Sequence, residues 1–308
     1  MKDVKTKMPV EEAIRKDLRE FDDDIKQYER TFTNEWYKER KRKTRNYVET
    51  TKKEKFETWK KAAEAGIPEA QILLGRWYSY CNDNTESAKW YRKAAEQGNA
   101  EAQFQLGRCY HSSYGAFFSH DSGIPKDEAV AAGWFRKAAE QGHAEAQFYL
   151  GRCYRSGEGV PKDKTEELKW LHLSAEQGYT YAQNDLAWYY FYGNEGVTKN
   201  REEGLKWFRK SAEQGNAEAQ YKLAECYFNG EGVTQDKADA VKWYRKAGEG
   251  GKVDALYQLG ICYFNGVGVP KDNAEALKWL HKITGVNPPA FALLNEIENE
   301  NKRKGKNK

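Results

Sequence analysis

Cysteine and histidine are the side chains in this chain whose chemistry could go beyond packing, and their spacing decides what they can do. Four of the five cysteines, Cys109, Cys153, Cys226 and Cys262, each stand directly before a tyrosine. They are one residue type repeated at one structural position. Equivalent positions in stacked units lie beyond the roughly 7 Å Cα separation that a disulfide tolerates, so free thiols acting as small core hydrophobes are expected. Such thiols fit a reducing, cytoplasmic setting. Cys81 stands outside that pattern. His111, His120 and Asp121, with Cys109 nearby, could ligate a metal, but no C-x-x-C or H-x-x-x-H spacing joins them, so neither a metal nor another cofactor is expected. His172 and His281 occupy sites where other segments carry Arg92, Arg136, Arg209 and Arg245, and read as surface residues. No constellation here supports catalysis.

The elements that position these residues follow from an internal repeat. Trp134, Trp170, Trp207, Trp243 and Trp279 recur at intervals of 36, 37, 36 and 36 residues, and Trp90 precedes Trp134 by 44. The text around them recurs too: WYRKAAEQGNAEAQFQLGRCY from Trp90, WFRKAAEQGHAEAQFYLGRCY from Trp134 and WFRKSAEQGNAEAQYKLAECY from Trp207. An earlier copy has Thr58 in place of the tryptophan.

Each unit reads as two helices. Ala146, Leu150 and Tyr154 share one face of the first, with Gly151 beside the leucine for close approach of a neighbour; Ala131, Trp134, Phe135, Ala138 and Ala139 make the apolar stripe of the second. The glycine eight residues after each tryptophan (Gly98, Gly142, Gly178, Gly215, Gly251) suits a left-handed helix end, and Asn99 or Asn216 then caps the next helix. Seven residues before each tryptophan stands another cap: Asp83, Asp127, Asp163, Asn200, Asp236 or Asp272. Five of these six have an acidic residue three places on, the pattern of a capping box. Thr51 holds the same distance from Thr58 and is the expected cap of a leading half unit.

The run A-x-x-x-L-G-x-x-Y-x-x-G-x-G-V-x-x-D followed by A-x-x-W-x-x-K-A-A-E-Q-G resembles the Sel-1-like repeat, a relative of the tetratricopeptide repeat. The resemblance implies an all-α fold, a right-handed superhelical α/α solenoid of antiparallel helix pairs, acting as a scaffold or adaptor for protein complexes. Some secreted, cysteine-rich members carry two cysteines per repeat and are associated with penicillin binding and hydrolysis. One cysteine per unit and no S-x-x-K motif separate this chain from them, so a hydrolase is the least favoured alternative and no enzyme is expected. The expected organisation is an N-terminal charged amphipathic helix over 1–50, a half repeat over 51–66, six repeats over 67–287, and a capping helix with a basic tail over 288–308.

By analogy with the tetratricopeptide architecture, the helix carrying Leu-Gly lines a concave groove. Its exposed positions give Ile72, Arg76 and Ser79, then Phe104, Arg108 and His111, then Phe148, Arg152 and Arg155. The later units give Asn184, Trp188 and Phe191, then Tyr221, Glu225 and Phe228, then Tyr257, Ile261 and Phe264. Arg76, Arg108, Arg152 and Arg155 make one end basic; Trp188, Phe191, Tyr221, Phe228, Tyr257 and Phe264 make the other aromatic. The expected partner is another protein or extended peptide with acidic and apolar anchors. The opposing expectation is that the aromatics pack between units.

Ile14, Leu18, Phe21, Ile25 and Tyr28 step by 4, 3, 4 and 3, the seam of a coiled coil, which serves either as a cap on the first repeats or for self-association. Basic runs at 39–45 and from Lys302 raise the alternative of an RNA-associated or anionic-surface protein. With 51 basic against 47 acidic residues the net charge is only +4, which does not favour nucleic acid. No stretch of about 18 apolar residues offers a membrane span.

Overall fold

The computed structural model describes residues 9–30, 42–43, 45–47, 49–50, 52–81, 83–111, 124–194, 196–283 and 288–306. The regular structure among these residues is helical, apart from one isolated bridge between Asn194 and Val197. The chain divides into two compact units, residues 1–167 and 168–308.

In the first unit, α1 (Val10–Arg30) is followed by α2 (Lys53–Glu64), α3 (Pro68–Tyr80), α4 (Asn84–Glu96), α5 (Ala100–Tyr110), α6 (Glu128–Glu140) and α7 (Ala144–Ser156). From α2 on, each helix packs against the next as antiparallel pairs, and α1 lies on α3. Helix α8 (Lys164–Glu176) crosses the division. The second unit continues with α9 (Thr180–Tyr192), α10 (Arg201–Glu213), α11 (Ala217–Asn229), α12 (Lys237–Glu249), α13 (Val253–Asn265), α14 (Asn273–His281) and α15 (Pro288–Lys306), again packed in succession.

The helix starts come from the expected caps. Asp83, Asp127, Asp163, Asn200, Asp236 and Asp272 each accept the backbone N–H three residues on, at 2.9 to 3.1 Å. Asn99 and Asn216 cap the Leu-Gly helices in the same way. One cap differs from expectation: the residue preceding α2 is Lys52, whose side chain caps nothing, and Thr51 lies outside the described residues. Helix ends follow the left-handed glycine, as at Gly142 with φ 85°.

Three recurrent contacts explain the repeated text. The residue after each tryptophan, rather than the tryptophan itself, is fully enclosed: Phe135 and Phe208 have no exposed surface. Phe135 lies on Gly107 so closely that a β-carbon there would stand 2.7 Å from the ring, which is why a glycine follows the leucine. On the outer side, the lysine three residues after the tryptophan covers its ring, at 4.1 Å for Lys137 and Trp134, and the arginine two after it donates to the tyrosine of Cys-Tyr, at 2.7 Å for Arg136 and Tyr154.

The third contact is a buried glutamine ladder between successive pairs. Gln103 of α5 donates to the Ala95 carbonyl at 3.2 Å and accepts from Gln141 of the following pair at 2.7 Å; Gln71 accepts from Gln97 and Gln183 from Gln214, each at 2.8 Å. At Gln220 the ladder breaks. Gln220 still donates to Ala212, but its Oε1 is buried without a donor, because Gly250 stands where Gln97, Gln141 and Gln214 supply one.

Candidate functional site

The Leu-Gly helices α3, α5 and α7 of the first unit carry the residues read as the basic end of a groove. Arg76 is already committed. Its guanidinium bonds Asp22 of α1 and, at 2.9 Å, Glu101 of α5, and only 18% of the side chain is exposed. Burial opposes its charge, but the carboxylates outweigh that and raise its pKa. Glu101 is the hub of a network that also takes Gln105 Nε2 at 2.8 Å and His143 Nε2 at 3.0 Å. His143 Nδ1 accepts from the Ala146 N–H at 3.2 Å, so the proton sits on Nε2, which donates to Glu101. Burial works to raise the Glu101 carboxyl, yet the His143 bond and the Arg76 charge hold it down at about 2.

Arg108 is half-buried, bonded to Gln105 at 3.1 Å and lying 5.7 Å from the Phe104 ring. Arg152 and Arg155 are exposed, with Arg152 5.9 Å from the Phe148 ring. The basic row thus presents two arginines outward and holds two inside.

Ile72 and Phe104, expected on the groove surface, are core residues, and Phe148 is nearly so. Phe104 stacks on His143 at 4.8 Å.

The seam of α1 explains the occupied arginine. Ile14, Phe21 and Ile25 are buried against Trp59, Leu73, Leu74 and Trp77, and Leu18 is partly buried beside them. Self-association through this seam is therefore corrected: its apolar face is spent on the chain's own helices, and Tyr28's side chain lies outside the described residues. Polar ties flank it. Trp59 Nε1 donates to Asp17 at 2.9 Å, Lys55 to the same carboxylate at 2.5 Å, Arg15 to Glu69 at 2.8 Å, and Lys52 pairs with Asp24.

In the second unit the aromatic end proves mostly to be packing. Phe191 has no exposed surface and lies against Phe208 at 5.8 Å, so it is corrected from groove to core. Trp188 is half-buried and stacks on exposed Tyr192, centroids 5.2 Å apart at 11°. Lys222, which sequence reasoning passed over, inserts its ammonium 5.2 Å from both the Phe191 and Tyr192 rings and 3.2 Å from Glu225. Burial works against its charge, but Tyr192 and Glu225 raise its pKa. The adjoining Tyr221, Phe228, Tyr257 and Phe264 are partly buried on the core of that unit. Burial, with Glu225 and Asp254, pushes the Tyr221 hydroxyl to about 12.

Each inward phenylalanine here lies under a cation: Arg201 over Phe191 at 5.6 Å, Lys237 over Phe228 at 5.7 Å, Lys271 over Phe264 at 4.7 Å.

The cysteines are free thiols, three of them buried. Burial pushes Cys153 and Cys226 to about 12 and Cys81, Cys109 and Cys262 to about 11, so none supplies a thiolate near neutral pH. His172 is corrected from the surface to a half-buried site: its Nε2 lies 3.2 Å from the Tyr190 hydroxyl, and burial lowers its pKa. It edges an open cleft of about 680 Å³. His111 lies 2.6 Å from Glu128, while His120 and Asp121 fall outside the described residues. Of the N-terminal basic run, Arg45 pairs with Glu49 at 3.0 Å, and the run from Lys302 continues α15. No helix among the described residues is long and apolar enough to cross a membrane.

The Sel1 repeat model matches six consecutive segments: 68–99, 100–143, 144–179, 180–216, 217–252 and 253–283. Among solved structures, the crystal structure of a Sel1 repeat protein from Oxalobacter formigenes is similar, with 33% identity and TM-score 0.64 over 72% of this chain and 89% of that one. The c5321 protective antigen of uropathogenic Escherichia coli shares 26% identity over 85% of this chain and 72% of its own, with TM-score 0.37. A putative Sel1 repeat protein from Klebsiella pneumoniae shares 20% identity over 66% and 97%, with TM-score 0.44. Comparison with curated proteins gave no match.

Proposed function

The chain belongs to the Sel1 repeat family, and from that premise we propose that it is a non-catalytic adaptor holding an acidic segment of a partner protein against its Leu-Gly helices. The observation that carries the reading is α1. An amphipathic helix with three consecutive aspartates, Asp22 to Asp24, lies on α3 with its apolar seam inward and Asp22 on Arg76. The surface therefore already accommodates a ligand of the expected kind, supplied by the chain itself. Beyond α1, Arg152 and Arg155 on α7 are the exposed cations that would face a second acidic segment; in the second unit, taken by itself, exposed Tyr192 beside Trp188 offers an aromatic contact.

Thiols held at about 11 to 12 favour a binding role over cysteine chemistry. The residues proposed to contact the acidic segment are thus Arg152 and Arg155, with Arg76 excluded. The test is affinity purification with crosslinking from the native cell, comparing wild type, Arg152→Glu with Arg155→Glu, and Lys206→Glu as a control on the exposed face of α10. Loss of the crosslinked partner in the double variant alone is the expected result. Equal recovery in all three overturns the reading.

A further inference from the structure

The second repeat departs from the fourth and fifth at two positions together. In the units ending at Phe191 and Phe228, a phenylalanine five residues after the Leu-Gly leucine lies under the cation that opens the next helix, Arg201 or Lys237. At the same two positions the second repeat has His111 and Glu128. An imidazole replaces the ring and a carboxylate replaces the cation. His111 Nδ1 lies 2.6 Å from Glu128 Oε2, with side chains only 11% and 16% exposed, and the imidazole sits edge-on to Phe135 and Tyr149 at 5.9 and 6.2 Å.

A third donor comes from the glycine turn after α7. Glu158 brings its carboxylate so that the donor atoms of His111, Glu128 and Glu158 all lie within 4.8 Å of one another. The fifth repeat again differs: Glu231, the counterpart of Glu158, belongs to a turn whose Gly232 packs on Arg201. There the carboxylate accepts from Asn229 at 3.2 Å, and here it comes to a second carboxylate. The Glu128 carboxylate faces His111 on one oxygen and Lys126 on the other. The nearby ammonium is that of Lys126, 2.7 Å from Glu128 Oε1, on a side chain that is more than half exposed.

We propose that His111, Glu128 and Glu158 form a binding site for a first-row divalent cation, Zn2+ in preference to Mg2+ or Ca2+. One imidazole nitrogen with two carboxylate oxygens is a donor set that zinc accepts and that the harder cations, which favour all-oxygen sites, do not select. The three donors come from the end of α5, the first turn of α6 and the turn after α7, so an ion there ties consecutive elements together. Lys126 acts as the competing counter-ion. Separations of 17 and 30 residues hide the set from any short metal motif.

The test uses the full chain, stripped with chelator and titrated calorimetrically with Zn2+ alone, then with Co2+ followed by absorption. The repeats supply safe substitutions: His111→Phe with Glu128→Lys installs the pair of the fifth repeat, Phe228 with Lys237, and is expected to keep the apo melting temperature. One equivalent of Zn2+ is expected to bind wild type and raise its melting temperature. Affinity should fall at least about tenfold in that double variant and in Glu158→Gln, and rise in Lys126→Ala, where the competitor is gone. A cobalt spectrum without thiolate charge transfer is expected. No binding at one equivalent, unchanged affinity in the double variant, or a thiolate band would each overturn the proposal.

Discussion

Asp22 of α1 and Arg76 of α3 are joined carboxylate to guanidinium across 54 residues of sequence, and the same guanidinium reaches Glu101 of α5. One side chain therefore ties α1 to two successive Leu-Gly helices. Removing Asp22 leaves a largely buried cation with a single partner. Asp22→Ala is expected to cost about 1–3 kcal/mol in denaturant unfolding and to speed hydrogen exchange across residues 10–30. Unchanged exchange there would mean that the apolar seam alone holds the helix.

Glu101 gives the fold a dependence on acid. Its folded pKa of about 2 lies below that of an unfolded glutamate, so the unfolded state takes up the proton first. The stabilisation is full above the unfolded value of about 4.3 and is lost as pH falls toward 2. Glu101→Gln should flatten the stability profile between those limits by about 1–3 kcal/mol, discounting for its partial exposure. Unfolding midpoints at pH 5 and pH 2.5 for both proteins measure the difference, and parallel profiles would dismiss Glu101 as the source.

Gly107 is irreplaceable on steric grounds. A β-carbon would stand 2.7 Å from the Phe135 ring and 3.2 Å from the Ala131 carbonyl oxygen. Gly107→Ala is expected to destabilise by about 1–3 kcal/mol, since the helices must separate or the ring must leave its rotamer. Thermal unfolding checks this. Gly133, whose β-carbon would meet nothing within 4 Å, is the control: Gly133→Ala should leave stability equal or higher.

Gly250 offers the opposite case. Its φ of −75° suits any residue, and Gln220 Oε1 waits unbonded beside it. Gly250→Gln is expected to stabilise by about 0.5–1 kcal/mol through the restored bond and lower chain entropy. The β-carbon meets that of Ala217 at 3.1 Å, but Gln214 already lives beside the larger Thr180, bonded to it at 3.1 Å. A fall in melting temperature in Gly250→Gln, with no gain over Gly250→Ala, would place the steric cost above the hydrogen bond.

The caps, the helix pairs and the close glycine were legible because each is local or repeats in register: Asp127 and Gly107 announce themselves by position. The docking of α1 was not, since a 3.5-residue seam fits its own repeats as well as a second copy, and only the structure puts Asp22 on Arg76. Phe191 was misplaced for a related reason. A residue five after the leucine stands at the end of its helix, where it can turn outward or reach back to Phe208, and the pattern does not distinguish the two. Lys222 was missed because a mid-helix lysine reads as solvated until three rings and Glu225 are seen around it. The pairing of His111 with Glu128 did leave a trace: Glu128 opens its helix where the later units have Lys164, Arg201 and Lys237.

The broken rung at Gln220 removes one polar tie between two consecutive helix pairs of the second unit. In a linear stack each pair is held only by its neighbours, so cooperativity is a chain of couplings and the weakest one decides where melting can stop. Between α11 and α12 that coupling lacks the hydrogen bond present at the Gln71, Gln103 and Gln183 rungs. The segment from α12 onward is held to α11 instead by helix packing and by the Lys252–Glu218 ion pair at 2.6 Å, and α15, closing over Leu256 to Ile283, covers its far side.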